Sequence, residues 1–274
     1  MQLNKQMLDR YYQAIAFKTG TTQSTYHVFI DRYLKMCKGE LSRETALDFL
    51  SKYSKNSILT AYYALKFFFK ATNAPLEIKR GDIAPKGVHK IKETMSHEEV
   101  RDLIISSKNK LGTIELGYIA LSTIYGLRRI ELYDTKPEMI DIDKRLFTPF
   151  THKSEGANER VHLIPEEISP ILFDMREGLF DIKKKPVITQ MNFFFDYAAE
   201  LAGIQLRPRL GFHSIRRALI TELNETDCKP IYIANFMRWK ERNPHIMQEY
   251  IQLNPKKVDE TVFESHPYLK YWSD

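Results

Sequence analysis

Cysteine is scarce: the 274-residue chain has two, Cys37 and Cys228, and no CxxC pair. That excludes a disulfide framework and a cysteine zinc site, and points to a reducing, cytoplasmic setting. No apolar run approaches the ~20 residues that a membrane span requires. The opening stretch MQLNKQMLDRYYQ lacks the apolar core of a signal peptide. There is no glycine-rich phosphate loop, no HExxH and no carboxylate cluster for a magnesium nuclease. Histidines 27, 89, 97, 162, 245 and 266 are scattered without metal-ligand spacing. No metal and no cofactor is expected, and no internal repeat or low-complexity segment occurs.

The charge that is present is unevenly placed. The net charge is +6, yet residues 1–93 hold 16 Lys+Arg against 8 Asp+Glu, and residues 94–274 hold 25 against 27. A basic front on a nearly neutral remainder suits a polyanion partner; a solvated lysine surface explains it equally well. Residues 1–72 read as helices. Tyr26, Phe29, Ile30, Tyr33 and Leu34 form a stripe ending at Gly39, and Ser42 opens a short helix. A third helix, SKNSILTAYYALKFFFKATN, interleaves Lys55, Lys66 and Lys70 with Tyr62, Tyr63 and Phe67 to Phe69. That mix makes either a small helical core with a wet face or a surface that stacks on nucleic acid and neutralises it.

Residues 73–93 hold two prolines, two glycines and five basic residues: Lys79, Arg80, Lys86, Lys90 and Lys92. No helix runs through such a stretch, so it divides the chain. The expected layout is a helical domain over 1–78, a basic linker over 79–93 and a second domain over 94–274. Ser96 with Glu99 is a capping box that starts this second domain. It reads as mostly helical, with one β insertion: DIDKRLFTPFTH and RVHLIP flank KSEGANE, a hairpin with Lys153 at its turn.

Two arginine pairs stand out. YGLRRIELYD puts Arg128 and Arg129 beside a buried face made by Ile119, Leu121, Ile124, Leu127, Ile130 and Leu132. An arginine there needs an anion. In GFHSIRRALI, His213 and Arg216 share a helix face, with Arg217 next to them. Asn243 and Pro244 open a further helix that carries Tyr250.

Taken in order, Gly126-x-Arg128-x-x-Glu131, the hairpin lysine Lys153, His213-x-x-Arg216, Trp239 and Tyr250 resemble the tyrosine recombinase (phage integrase) family. The resemblance runs over almost the whole chain. No single motif is decisive; the order and the distances carry it. It implies a mainly α, two-domain fold, with a helical core-binding domain ahead of a mostly helical catalytic domain holding a small antiparallel β-sheet. It also implies a site-specific recombinase that cleaves and rejoins double-stranded DNA through a 3′-phosphotyrosyl bond, without ATP or metal, as a tetramer on two DNA sites.

By position, the resemblance gives each residue a role. Arg128 and Arg216 hold the scissile phosphate, and Glu131 orients Arg128. Lys153 protonates the leaving oxygen, His213 assists the nucleophile, and Tyr250 is the nucleophile. Trp239 stands where most members have histidine, and can donate a hydrogen bond but not transfer a proton. In the same pair Arg238 replaces the usual glycine. Tyr250 follows Trp239 by eleven residues rather than the family's nine, which keeps Tyr268 and Tyr271 in reserve. Lys55, Lys66, Lys70, Lys79, Arg80, Lys86, Lys90, Lys92 and Arg217 are the DNA-contact candidates. The segment after Tyr250 matches tails that pack onto a neighbouring subunit in the family. A topoisomerase or telomere resolvase, or an inactive DNA-binding protein of the same fold, are the rival readings.

Overall fold

The computed structural model describes residues 1–54, 57–74, 78–83, 94–150, 160–181, 187–239 and 253–273. The chain divides into two compact units, Met1–Ile91 and Lys92–Asp274.

The first unit is helical: α1 (Lys5–Ile15), α2 (Gly20–Cys37), α3 (Arg43–Ser51) and α4 (Ile58–Ala71). Asn4 caps α1 through the amide of Met7. Ser42 and Thr45 close a reciprocal capping box on α3, which satisfies donors that a helix start leaves open. Helix α2 ends with Lys38 and Gly39 both at positive φ. The core is aromatic: Tyr33 meets Phe49, Phe68 and Phe69 edge-on, a preferred ring geometry. The lysine–aromatic mix of α4 therefore separates by face. Tyr62, Phe68 and Phe69 are buried, while Tyr63, Lys66 and Lys70 are exposed.

The second unit begins with the expected Ser96–Glu99 capping box on α5 (His97–Lys108). Helix α6 (Thr113–Tyr125) follows, and every residue from Gly117 to Tyr125 is buried. A helix apolar on all sides belongs at the centre of its domain. It packs on α8 (Ser169–Leu179), where a side chain at Gly117 would run into the Met175 side chain. Around it lie α7 (Arg129–Tyr133), α9 (Gln190–Leu201), α10 (Phe212–Asn224), α11 (Pro230–Phe236) and α12 (Pro255–Glu264).

Strands β1 (Ile140–Asp141), β2 (Leu146–Phe147) and β3 (His162–Leu163) form an antiparallel sheet in the order β1-β2-β3. The hairpin expected from the sequence is the β2–β3 pair. Its first flank is not one strand, because it folds back at residues 142–145. There Asp141 Oδ1 accepts from the Lys144 amide at 3.0 Å and Arg145 takes φ +55°. The tail packs into its own unit: Val258, Val262, Tyr268 and Trp272 join the core, and Trp272 Nε1 donates to Thr123 Oγ1 at 3.2 Å. Among the described residues, no helix is long and apolar enough to cross a membrane.

Candidate active site

The site is built on the C-terminal end of α6. Gly126 ends that helix in the left-handed region, at φ +58°, and a Cβ there would lie 2.6 Å from Met237 Cε. Glycine alone meets both demands without cost. The chain then turns into α7, for which Arg128 is the N-cap. The Glu131 carboxylate reaches back. Its Oε2 accepts the Arg128 amide at 2.8 Å, and its Oε1 accepts Arg128 Nη1 at 2.5 Å. The Glu131 side chain is fully buried, and that of Arg128 remains 16% exposed. Arg128 is thus held from inside while its outer side faces solvent.

Arg216 arrives from α10. Its Nη1 donates to the carbonyl of Gly126, and its Nη2 donates to the carbonyl of Met237 at 2.9 Å. It is 4% exposed. Burial, with the nearby Arg238 and Arg128 charges, pushes its pKa down to about 9.

A third arginine joins them. Arg238 follows α11 at φ +54°. Its Nη1 lies 3.0 Å from His162 Nε2, both η nitrogens reach the Tyr125 carbonyl at 3.4 Å, and Nη2 reaches Glu131 Oε2 at 3.5 Å. Burial, against the attraction of Glu131, brings its pKa down to about 10. Arg216 and Arg238 therefore cap consecutive carbonyls of α6, at the negative end of its dipole. Burial alone would raise the Glu131 pKa, but Arg238 and the amide and charge of Arg128 hold it below the usual carboxylate range. Two guanidinium groups, those of Arg128 and Arg238, bond the Glu131 carboxylate, and Arg216 lies near enough to feel its charge. Such an excess of buried positive charge favours an incoming anion.

His213 is exposed in the first turn of α10, one turn before Arg216. Trp239 is 43% exposed just beyond Arg238. Arg129 donates to Asn192 Oδ1 at 2.8 Å, and Arg217 is half-buried. In the first unit Lys66, Lys70, Lys79 and Arg80 are exposed. Lys153, Tyr250, Lys55, Lys86, Lys90 and Lys92 lie outside the described residues. Of the reserve tyrosines, Tyr268 is completely buried, and desolvation drives its pKa far up. The Tyr271 hydroxyl is bonded to His97 Nε2 at 2.9 Å. Among the described residues no group of His, Cys, Asp or Glu is arranged to hold a metal ion.

Sequence reasoning missed the layer beneath the site. Arg160, His162 and Asp259 are buried together, with Asp259 Oδ1 2.5 Å from Arg160 Nη2 and 3.2 Å from His162 Nδ1. Burial brings the His162 pKa down to about 4 despite Asp259. No motif spacing signals this cluster, because Asp259 lies 97 residues from His162.

No protein-family model matches the chain, and no curated protein matches it by sequence. Solved structures do. The lambda integrase tetramer bound to a Holliday junction aligns at TM-score 0.65 and 13% identity, over 90% of this chain and 76% of that one. The XerH recombinase bound to its difH substrate aligns at 0.61 and 15%, over 88% and 78%. The integrase of mycobacterium phage Brujita aligns at 0.51 and 17%, over 97% and 96%. The fold is that of the tyrosine recombinases: mainly helical, with a small antiparallel sheet.

Proposed function

We propose that this chain is a site-specific DNA recombinase of the tyrosine type. The observation that carries the reading is the clustering of Arg128, Arg216 and Arg238 at one helix end, where Arg128 and Arg238 share the Glu131 carboxylate and Arg216 holds the Gly126 carbonyl. Phosphoryl transfer asks a protein mainly to position the reacting groups and stabilise charge on the phosphate oxygens. Arginine forks suit that task. The solved neighbours include complexes with a Holliday junction and with a recombination site, which supports double-stranded DNA as the substrate and partner.

In this mechanism Arg128 and Arg216 bind the non-bridging oxygens of the scissile phosphate. The Tyr250 hydroxyl attacks phosphorus, losing its proton to His213. A tyrosine–phosphorus bond forms and the bond to the 5′-oxygen breaks, with Lys153 supplying that oxygen's proton. The Trp239 indole N–H donates to a phosphate oxygen. Attack of a second strand's 5′-hydroxyl reverses the step. One bond energy is conserved throughout, so neither ATP nor metal is consumed. Lys66, Lys70, Lys79 and Arg80, with Lys55, Lys86, Lys90, Lys92 and Arg217, contact the DNA backbone. The domains follow residues 1–78 and 94–274 with the basic linker 79–93 between them, and four subunits act on two sites. The protein works on DNA in the cytoplasm, away from membranes.

A second reading, a DNA-binding protein of the same fold without cleavage activity, is favoured by one observation. Arg216 is nearly buried, with two of its donors already on main-chain carbonyls.

The deciding experiment starts from a random-sequence duplex library enriched for binding, and rebuilds the selected sequence as a nicked suicide substrate. A denaturant-resistant protein–DNA adduct with wild type, absent in Tyr250→Phe, is the expected result. An adduct that survives Tyr250→Phe would overturn the assignment of the nucleophile. Binding without any adduct would overturn cleavage in favour of the second reading.

A further inference from the structure

The buried layer beneath the arginines forms a continuous line of polar contacts. Asp259 of α12 is fully buried and anchors β3: its Oδ2 accepts the Leu163 amide at 2.7 Å and its Oδ1 faces His162 Nδ1. His162 Nε2 faces a donor, Arg238 Nη1, at 3.0 Å. A guanidinium cannot accept a hydrogen bond, so Nε2 must be the acceptor and Nδ1 carries the proton that goes to Asp259. Asp259 thereby selects the histidine tautomer able to receive Arg238. Arg238 in turn reaches Glu131 Oε2, the oxygen that also accepts the Arg128 amide. The line ends on the Arg128 guanidinium, whose outer side is solvent-facing.

Two features give Arg238 a role beyond packing. It is one of five described non-glycine residues at positive φ, a conformation that L side chains rarely adopt. Its guanidinium is 3% exposed and flanked by two other cations, Arg128 and Arg160. Burying that charge beside like charges, on a backbone conformation that L residues rarely adopt, costs free energy, which its contacts must offset. Glu131 meets that charge directly, and Glu131 sets the plane and position of Arg128.

We propose that Arg238 is a positioning residue of the cleavage site, held in register by Asp259 through the fixed tautomer of His162, and that it orients Arg128 through Glu131. The proposal rests on the recombinase reading. Arg238 acts through Glu131 rather than by touching the phosphate.

The test uses the full chain and three variants: Arg238→Gly, which relieves the left-handed backbone while removing the charge, Asp259→Asn, and the two combined. Single-turnover adduct formation on the suicide substrate, DNA affinity and thermal stability are measured together. The expected result for Arg238→Gly is a cleavage rate lower by about 30-fold or more, with DNA affinity within about twofold. Asp259→Asn should lower the rate by about tenfold. Because the two residues lie on one line, the combined variant should be no slower than Arg238→Gly alone. Added guanidinium ion should restore part of the Arg238→Gly rate, which a merely structural role would not allow. Unchanged cleavage in Arg238→Gly, or losses that multiply in the combined variant, would overturn the proposal.

Should a variant fold poorly, amide exchange at Arg128 in Arg238→Lys and Asp259→Asn gives a reading without DNA. Faster exchange at that amide supports the line, and protection equal to wild type refutes it. Absence of any adduct with the wild type would instead refute the recombinase reading, and amide exchange would still decide whether the line exists.

Discussion

Arg216 of α10 donates a hydrogen bond to the carbonyl of Gly126, ninety residues away in sequence and two residues before Arg128. One side chain therefore ties the two arginine motifs together: the helix end that presents Arg128 is capped by the other arginine. Arg216→Lys keeps a positive charge but cannot bridge the carbonyls of Gly126 and Met237 in a fork. Cleavage should fall by about 10²–10³-fold, the loss seen when one preorganised donor is removed, with DNA binding changed far less. Single-turnover kinetics beside a mobility-shift titration will check this; parallel losses in both would argue against it.

Gly126 should not tolerate a side chain. Gly126→Ala adds a Cβ at φ +58° and 2.6 Å from Met237 Cε. The left-handed conformation alone costs about 1–2 kcal/mol, and displacing Met237 adds to that. In a Met237→Ala background the steric part should disappear and the conformational part remain, as urea denaturation of the two pairs of proteins will show.

Removing the Glu131 carboxylate leaves Arg128 and Arg238 facing each other without their shared anion. Glu131→Ala should destabilise the second unit by about 3–5 kcal/mol, the range for breaking a buried pair from one side. Glu131→Gln keeps the shape and should lose less stability, while still slowing cleavage because Arg128 is no longer held by charge. A Glu131→Gln enzyme of wild-type rate would contradict this account.

Stability should fall in mild acid. His162 and His266 are both buried, and burial brings each pKa down to about 4 from 6.5. Above pH 6.5 they are neutral whether folded or unfolded, so no penalty arises. Between pH 6.5 and about 4 the unfolded chain binds protons that the folded one refuses, and stability drops as pH falls. Each histidine lowers the folding constant by roughly tenfold per pH unit across that window. Denaturation at pH 7 and pH 5 measures the effect; a flat profile would mean these histidines charge in place.

Lys66 and Lys70 share an exposed face of α4 with Tyr63. Each lysine changed to glutamine should weaken DNA binding evenly across sequences and reduce the log–log salt slope by about one. Unchanged slopes would assign this face to solvent.

Local rules carried much of the architecture. Ser42 and Ser96 start helices because a side-chain oxygen three residues from an open amide caps it. The largely apolar stretch around Ile119 and Ile124 belongs to a central helix, and Gly126 ends it. The order of Arg128, Glu131, His213 and Arg216 identified the candidate site and the family it resembles. DIDKRLFTPFTH stands in the sequence as one flank of a hairpin, yet it folds back on itself. The turn within it rests on local contacts, Asp141 with the amide and side chain of Lys144 and the Arg145 amide with the Ile142 carbonyl, which leave little trace in composition.

Sequence alone determined the helices, their caps, the basic front and the ordered set of residues suited to phosphate chemistry, because those signals act within a turn or two of helix. Tertiary structure alone decided that Arg238 joins Arg128 and Arg216, that Asp259 fixes His162, and that Tyr268 belongs to the core. Burial and charge pairing depend on which elements meet in space. Partners 76 to 107 residues apart, such as Arg238 with His162 and with Glu131, share no period along the chain that could announce them.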